Sequence, residues 1–155
     1  MATRSRIGVM HGDKVKSVYC HWDGYVEHNG AILLEHYDSA KANELVSLGD
    51  LSSLRPNIGK KHAFSQFGTD LTSEEYDKLY GDMCTFYGRD RDEIDTEWKV
   101  ANTFKEFVDQ CENSGAEYYY IMRDGVWYYG SMYHDNKTLT LLADAVTQDA
   151  KLEAA

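Results

Sequence analysis

Asp124-Gly125 stands between two runs of strand-forming residues, Ala116 to Arg123 and Val126 to Tyr133. A two-residue Asp-Gly link favours positive φ at both central positions, the turn whose twist matches that of paired strands. The stretch therefore predicts a tight hairpin, with Tyr118, Tyr119, Tyr120, Trp127, Tyr128 and Tyr129 on its two faces. The other end of the chain predicts a second one. Thr3 to Met10 alternates, placing Ser5, Ile7 and Val9 on one face and Arg4, Arg6 and Gly8 on the other. His11 to Lys14 supplies a turn, and Val15 to Trp22 runs back.

Between the hairpins the apolar spacing becomes helical. Gly30 to Tyr37 carries Ile32, Leu33, Leu34 and Tyr37; Asp38 or Ser39 then caps a second helix through Leu48, with Gly49 just past its end. Thr72-Ser73-Glu74-Glu75 and Thr103-Phe104-Lys105-Glu106 are capping-box patterns. The first opens a helix with Tyr76, Leu79, Tyr80 and Met83 on one face; the second, one with Phe104, Phe107, Val108 and Cys111, ended by Gly115. Gly88 to Glu93 reads as a charged connector, Leu54 to Phe67 as an irregular loop, and about Thr138 to Asp149 as a last helix.

This order predicts an α+β fold: an antiparallel sheet of about four strands, built from the N-terminal and C-terminal β-hairpins and covered on one face by about four to five helices. A single α+β domain is expected over residues 1–150, with 151–155 as a frayed tail. An edge strand of either hairpin offers pairing across a two-fold axis, hence a homodimer.

Charge narrows the partners. The net charge is −10, from 26 acidic and 16 basic residues, which opposes adhesion to nucleic acid or an anionic membrane. It suits a partner with a basic surface, and it also simply keeps a protein soluble. Cys20, Cys84 and Cys111 are odd in number and widely spaced, as for buried free thiols in a reducing compartment. No apolar run is long enough to span a bilayer, so the expected location is cytoplasmic.

Chemistry-bearing side chains concentrate in residues 18–25, Val-Tyr-Cys-His-Trp-Asp-Gly-Tyr. Cys20 as a nucleophile would need His21 or His28 as base, but alternation points His21 to the opposite face, so a buried inert thiol is expected. His21-x-Asp23 on one strand face would start a metal site, with His11, His28, His36 and Glu35 as further ligands; the plain alternative is a strand-end histidine beside an Asp-Gly turn. Asp90, Asp92, Asp95 and Glu97 lack the spacing and central glycine of a calcium loop. The third arrangement is a binding surface. Arg4 and Arg6, paired near Tyr19 and His21 and joined by Trp22, Asp23 and Tyr25, would supply the bidentate contacts and flat faces that a nucleotide or a protein partner needs. The plain alternative is that the rings are core and the arginines pair with acids. No dinucleotide, phosphate-loop, nucleophile-elbow or kinase pattern occurs, and no cofactor is expected.

Thr3 to Gly8, Val18 to Tyr25, Leu33-Leu34 and Gly49 to Leu54, with Tyr87-Gly88-Arg89-Asp90-Arg91, together resemble a family of small accessory proteins of tailed bacteriophages. The resemblance covers most of the first hundred residues and does not extend past Gly130. Members are mostly of unknown function, so no catalytic residue carries over. The resemblance implies a phage accessory protein acting in the cytoplasm of a bacterial host. The leading expectation is a non-catalytic protein that inhibits or modulates a host factor, in host takeover or counter-defence. Sequestration of a nucleotide or nucleotide-derived signal comes second and a metal-dependent hydrolase third.

Overall fold

The computed structural model describes residues 2–134 and 137–146. Strands β1 (Ser5–His11) and β2 (Lys14–Cys20) form the first hairpin, with Ser5 opposite Cys20 and Arg6 opposite Tyr19. Strands β6 (Tyr118–Arg123) and β7 (Val126–Ser131) form the second. Asp124 and Gly125 both lie at positive φ, 52° and 80°, as the Asp-Gly turn requires.

The hairpins meet in one sheet through β1 and β6, and the fold is α+β. That junction is parallel, with Ser5 opposite Tyr118 and Gly8 opposite Ile121, so the sheet is mixed rather than wholly antiparallel. The reason lies in the route between the hairpins. β5 (Lys99–Ala101) pairs antiparallel with β2 and so runs the way of β1. Helix α5 (Phe104–Ser114) then crosses one face of the sheet and delivers β6 in the same direction, the crossover that parallel strands demand.

The sheet is also wider than the expected four strands. β3 (Leu51–Ser53) joins β2 at Cys20, β4 (Thr85–Phe86) joins β3, and β8 (Thr140–Leu141) joins β7. The order is β4-β3-β2-β1-β6-β7-β8, with β5 beside the other half of β2. Tyr19 falls between the two neighbours of β2, and the Asp50 carboxylate fills the gap by accepting its backbone N–H at 2.9 Å. The outer edges of both hairpins are thus occupied within the chain.

Helices cover both faces, not one. α1 (Ala31–His36) and α2 (Ser39–Ser47) seal the face of Ile7, Val18, Cys20 and Tyr120 with Leu33, Leu45 and Val46. α5 seals the opposite face, where Phe107 and Cys111 pack on Val15, Tyr119 and Ile121. Both sets of strand residues are apolar enough to require a cover, at roughly 1.5–3 kcal/mol for each large side chain buried.

Local signals fall where expected. Asp38 caps α2 by accepting Lys41 N–H, Gly49 follows it at φ 92°, and Gly115 ends α5 at φ 72°. Thr72 and Glu75 form a reciprocal capping box on α3 (Ser73–Tyr80). At α5 the Thr103 hydroxyl accepts Glu106 N–H, but the Glu106 carboxylate takes Asn102 N–H instead of closing the box. The charged connector proves helical: α4 (Tyr87–Arg91) occupies it. In the segment expected as a last helix, Thr138 and Leu139 are irregular, Thr140–Leu141 is strand and 142–146 is helical; residues 147–149, with the frayed tail, lie outside the described residues. No helix among the described residues is long and apolar enough to cross a membrane.

Candidate functional site

The Tyr19-to-Tyr25 segment forms the rim where β2 ends. The strand stops at Cys20. His21 and Trp22 still donate to the Leu51 and Ser52 carbonyls of β3, at 3.1 and 3.0 Å. Asp23, at φ 58°, then turns the chain away from the sheet. Gly24 follows in close backbone contact with β1: its N–H donates to Thr3 O at 2.8 Å, and a Cβ there would fall 2.8 Å from the Cβ of Ser5.

The corner is bolted to the middle of the sheet. After Tyr25 a wide π-type turn, Val26–Gly30, brings Asn29 inside. Its buried amide donates to Ser5 Oγ, Cys20 Sγ and Trp22 O, all at 3.3–3.4 Å. From β6, the Tyr120 hydroxyl donates to Gly24 O at 2.6 Å. Both hairpins therefore hold the same bend.

On the outside of this scaffold Tyr19 and His21 share a face, with Tyr19 Oη 2.6 Å from His21 Nδ1. Partial burial, then the Arg4 and Arg91 guanidinium groups, lower the His21 pKa, which favours a neutral ring accepting the phenol proton. Burial likewise raises the Tyr19 pKa. The Trp22 ring stands edge-on to His21 at 4.7 Å. Trp22 and Tyr25 are 45% and 37% exposed, and Arg4 is exposed on the side of Tyr19 and His21, near enough to act on both.

Not every expected member comes together. Arg6 is only 2% exposed: it lies under α5, donating Nε to Ser17 Oγ at 3.0 Å and Nη2 to Ser17 O at 3.2 Å. Burial lowers its pKa, opposed by nearby Cys111 and Asp50. It is a structural cation, out of reach of a surface ligand. His21 and Asp23 part company because the strand ends before them: His21 turns to Tyr19, whereas the Asp23 carboxylate lies 4.0 Å from His28 Nε2. Among the described residues no three His, Cys, Asp or Glu side chains are grouped to hold a metal ion.

Cys20 sits behind the corner as a thiol. Burial pushes its pKa up to about 12, and that of Cys111 equally to about 12; Cys84 is raised as well. A thiol whose folded pKa lies above its unfolded value of 9.0 stabilises the fold below pH 9 and loses that contribution as pH climbs towards 12. The native protein at pH 8 is expected to leave a thiol-disulfide reagent unreacted, while denaturant releases all 3 cysteines. Rapid native labelling of Cys20 would contradict this.

The rim also recruits residues that the linear sequence does not point to. Asn29 belongs to none of the patterns that the sequence singles out. Arg91 arrives from α4, with its guanidinium 5.1 Å from the rings of Tyr87 and Phe64 and its Nε 3.0 Å from Glu93. Its place in the charged stretch was visible, but its neighbourhood was not. No protein-family model matches this chain, and neither a curated protein nor a solved structure does.

Proposed function

We propose that this chain is a binding protein that docks on a host protein and inhibits or modulates it, with the β2 rim as the contact. The observation that carries the reading is the exposure of Trp22 and Tyr25 on a corner whose inner polar groups are already bonded. Tryptophan, tyrosine and arginine are the side chains that most often dominate protein interfaces, and here Arg4 completes the set. A corner held by Asn29, Gly24 and Tyr120 spends little conformational entropy on docking. The nearby Cys20 thiol is held protonated and covered. The phage-family resemblance supplies the setting, a bacterial cytoplasm.

Nucleotide sequestration draws on the same rim but loses Arg6, one of the two arginines it would use. It therefore stands second.

Affinity capture from bacterial host lysate tests the proposal, with the whole chain and its Trp22→Ala/Tyr25→Ala variant immobilised in parallel. A stoichiometric protein held by the native chain is expected, with retention falling by roughly tenfold or more in the variant. A chain that holds no stoichiometric protein, or holds one equally in both forms, overturns the reading. Heat evolved with a nucleotide panel in calorimetry would move the assignment to sequestration.

A further inference from the structure

We infer that the loop of residues 63–68 and helix α3 form a second docking surface, shaped for a basic protein segment that presents an apolar side. This extends the reading of the chain as a protein-binding molecule to a partner chemistry and to a second surface, adjoining the rim at Arg91.

α3 buries none of its residues, although its Tyr76, Leu79 and Tyr80 fall at helical spacing. It is moored by polar and ring contacts. Tyr76 Oη donates to Ala63 O at 2.6 Å, Ser73 Oγ donates to Gln66, and Tyr80 stacks on His62 at 5.1 Å. These moorings leave apolar groups outward: Phe64, Phe67 and Leu79 are 57%, 92% and 53% exposed. A cleft of about 200 Å³ lies beside them, lined by Phe64, Tyr76, Tyr80 and Met83 together with Arg55 and Asp77. Scattered exposed apolar residues are ordinary, but here three rings, Phe64, Tyr76 and Tyr80, line one cleft, and Phe67 and Leu79 add exposed apolar area to the loop and helix that carry them.

Charge selects the occupant. Asp70, Glu74, Glu75, Asp77 and Asp82 are all exposed on and around α3, against Lys78 on the same stretch. Glu75 stands one turn before Leu79 on α3 and Asp82 follows just past the helix end, so the apolar side chain has an anionic border. Of the neighbouring cations, Lys61 and Arg91 each already have a carboxylate, Asp92 and Glu93, and the Arg55 guanidinium in the cleft donates to the Leu54 carbonyl. Arg91 also lies against Phe64, the cation–ring contact that an incoming arginine or lysine would repeat. Nucleic acid and an anionic bilayer are repelled by this border. A second copy, itself at net charge −10, is repelled as well. A cationic segment with an apolar side satisfies both the rings and the carboxylates.

Fluorescence anisotropy with labelled model helices tests this on the whole chain. The probes are a leucine–lysine peptide and a leucine–glutamate peptide of the same apolar pattern. The lysine peptide is expected to bind and the glutamate peptide not to. Phe67→Ser/Leu79→Ser, which alters only exposed side chains, should weaken binding by roughly tenfold, while Trp22→Ala/Tyr25→Ala leaves it unchanged. Equal affinity for the native chain and the Phe67/Leu79 variant, preference for the glutamate peptide, or self-association abolished by that variant would each overturn the inference. Because no lysate is involved, its failure is distinguishable from failure of the rim as a host-protein contact.

Discussion

Replacing Asp90 with alanine is expected to cost about 3–5 kcal/mol of folding stability, the usual price of deleting one partner of a buried ion pair. The Asp90 side chain is fully buried, and that of Arg89 is 15% exposed. One carboxylate there organises much of the surrounding chain. Its oxygens accept Phe86 N–H at 2.8 Å, His62 N–H at 3.1 Å and Arg89 Nε at 3.0 Å. Alanine strands all of these donors where water has little access. His62 Nδ1 is taken by the Lys60 carbonyl at 2.8 Å, so the imidazole cannot compensate. At this chain length the loss corresponds to a fall in Tm of roughly 10 °C or more. Asp90→Asn keeps one acceptor oxygen and should lose less. Thermal and urea unfolding measure both; an alanine variant within about 1 kcal/mol of the native chain would show that this cluster does not anchor the loop.

Gly130→Ala is expected to cost about 3 kcal/mol, at the upper end of overpacking effects. Gly130 faces Tyr119 across β7 and β6, and a Cβ there would fall 2.1 Å from the Tyr119 ring. The ring cannot step aside freely: Tyr119 is fully buried, its hydroxyl donates to Thr138 O at 2.6 Å, and Phe104 and Phe107 stand edge-on to it. Tyr119→Leu in the same chain should relieve part of the loss, giving a coupling of roughly 1–2 kcal/mol in a double-mutant cycle. Gly68→Ala is the control, because no atom lies within 4 Å of the Cβ it adds. Additive costs at 119 and 130 would contradict this packing.

Both variants bear on elements of unequal visibility in the sequence. Asp124-Gly125 announced its hairpin because a turn at positive φ depends on residue type alone. Thr72, Thr103, Asp38 and Gly115 announced helix ends for the same local reason. The parallel meeting of β1 and β6 was not legible, since nothing within either strand records the crossover of α5. β3, β4, β5 and β8 are each two or three residues long, too short for alternation to register. The sheet is accordingly wider than its sequence signals, and nothing local marks the side of Tyr119 and Ile121 as one that needs a helix.

At the rim, the shared face of Tyr19 and His21 followed from alternation and holds. Arg6 read as available because its strand position matches Arg4; only the placement of α5 above it makes one arginine core and leaves the other at the surface. Asp23 read as a partner of His21 because the strand was continued through Trp22, whereas a left-handed residue at Asp23 breaks the pattern first. Asp90 shows the limit most plainly. Within Arg89-Asp90-Arg91-Asp92 it looks solvated, and only the fold buries it beneath the loop of His62.

Amide hydrogen exchange on the chain alone and bound to the protein retained in the capture experiment tests the central claim, that recognition runs through the β2 rim. Slower exchange across residues 21–28 on binding is the predicted result, with a second protected stretch over 64–79 if the same partner spans both surfaces. Protection confined to β7 and β8, with residues 21–28 exchanging as fast as in the free chain, would contradict it.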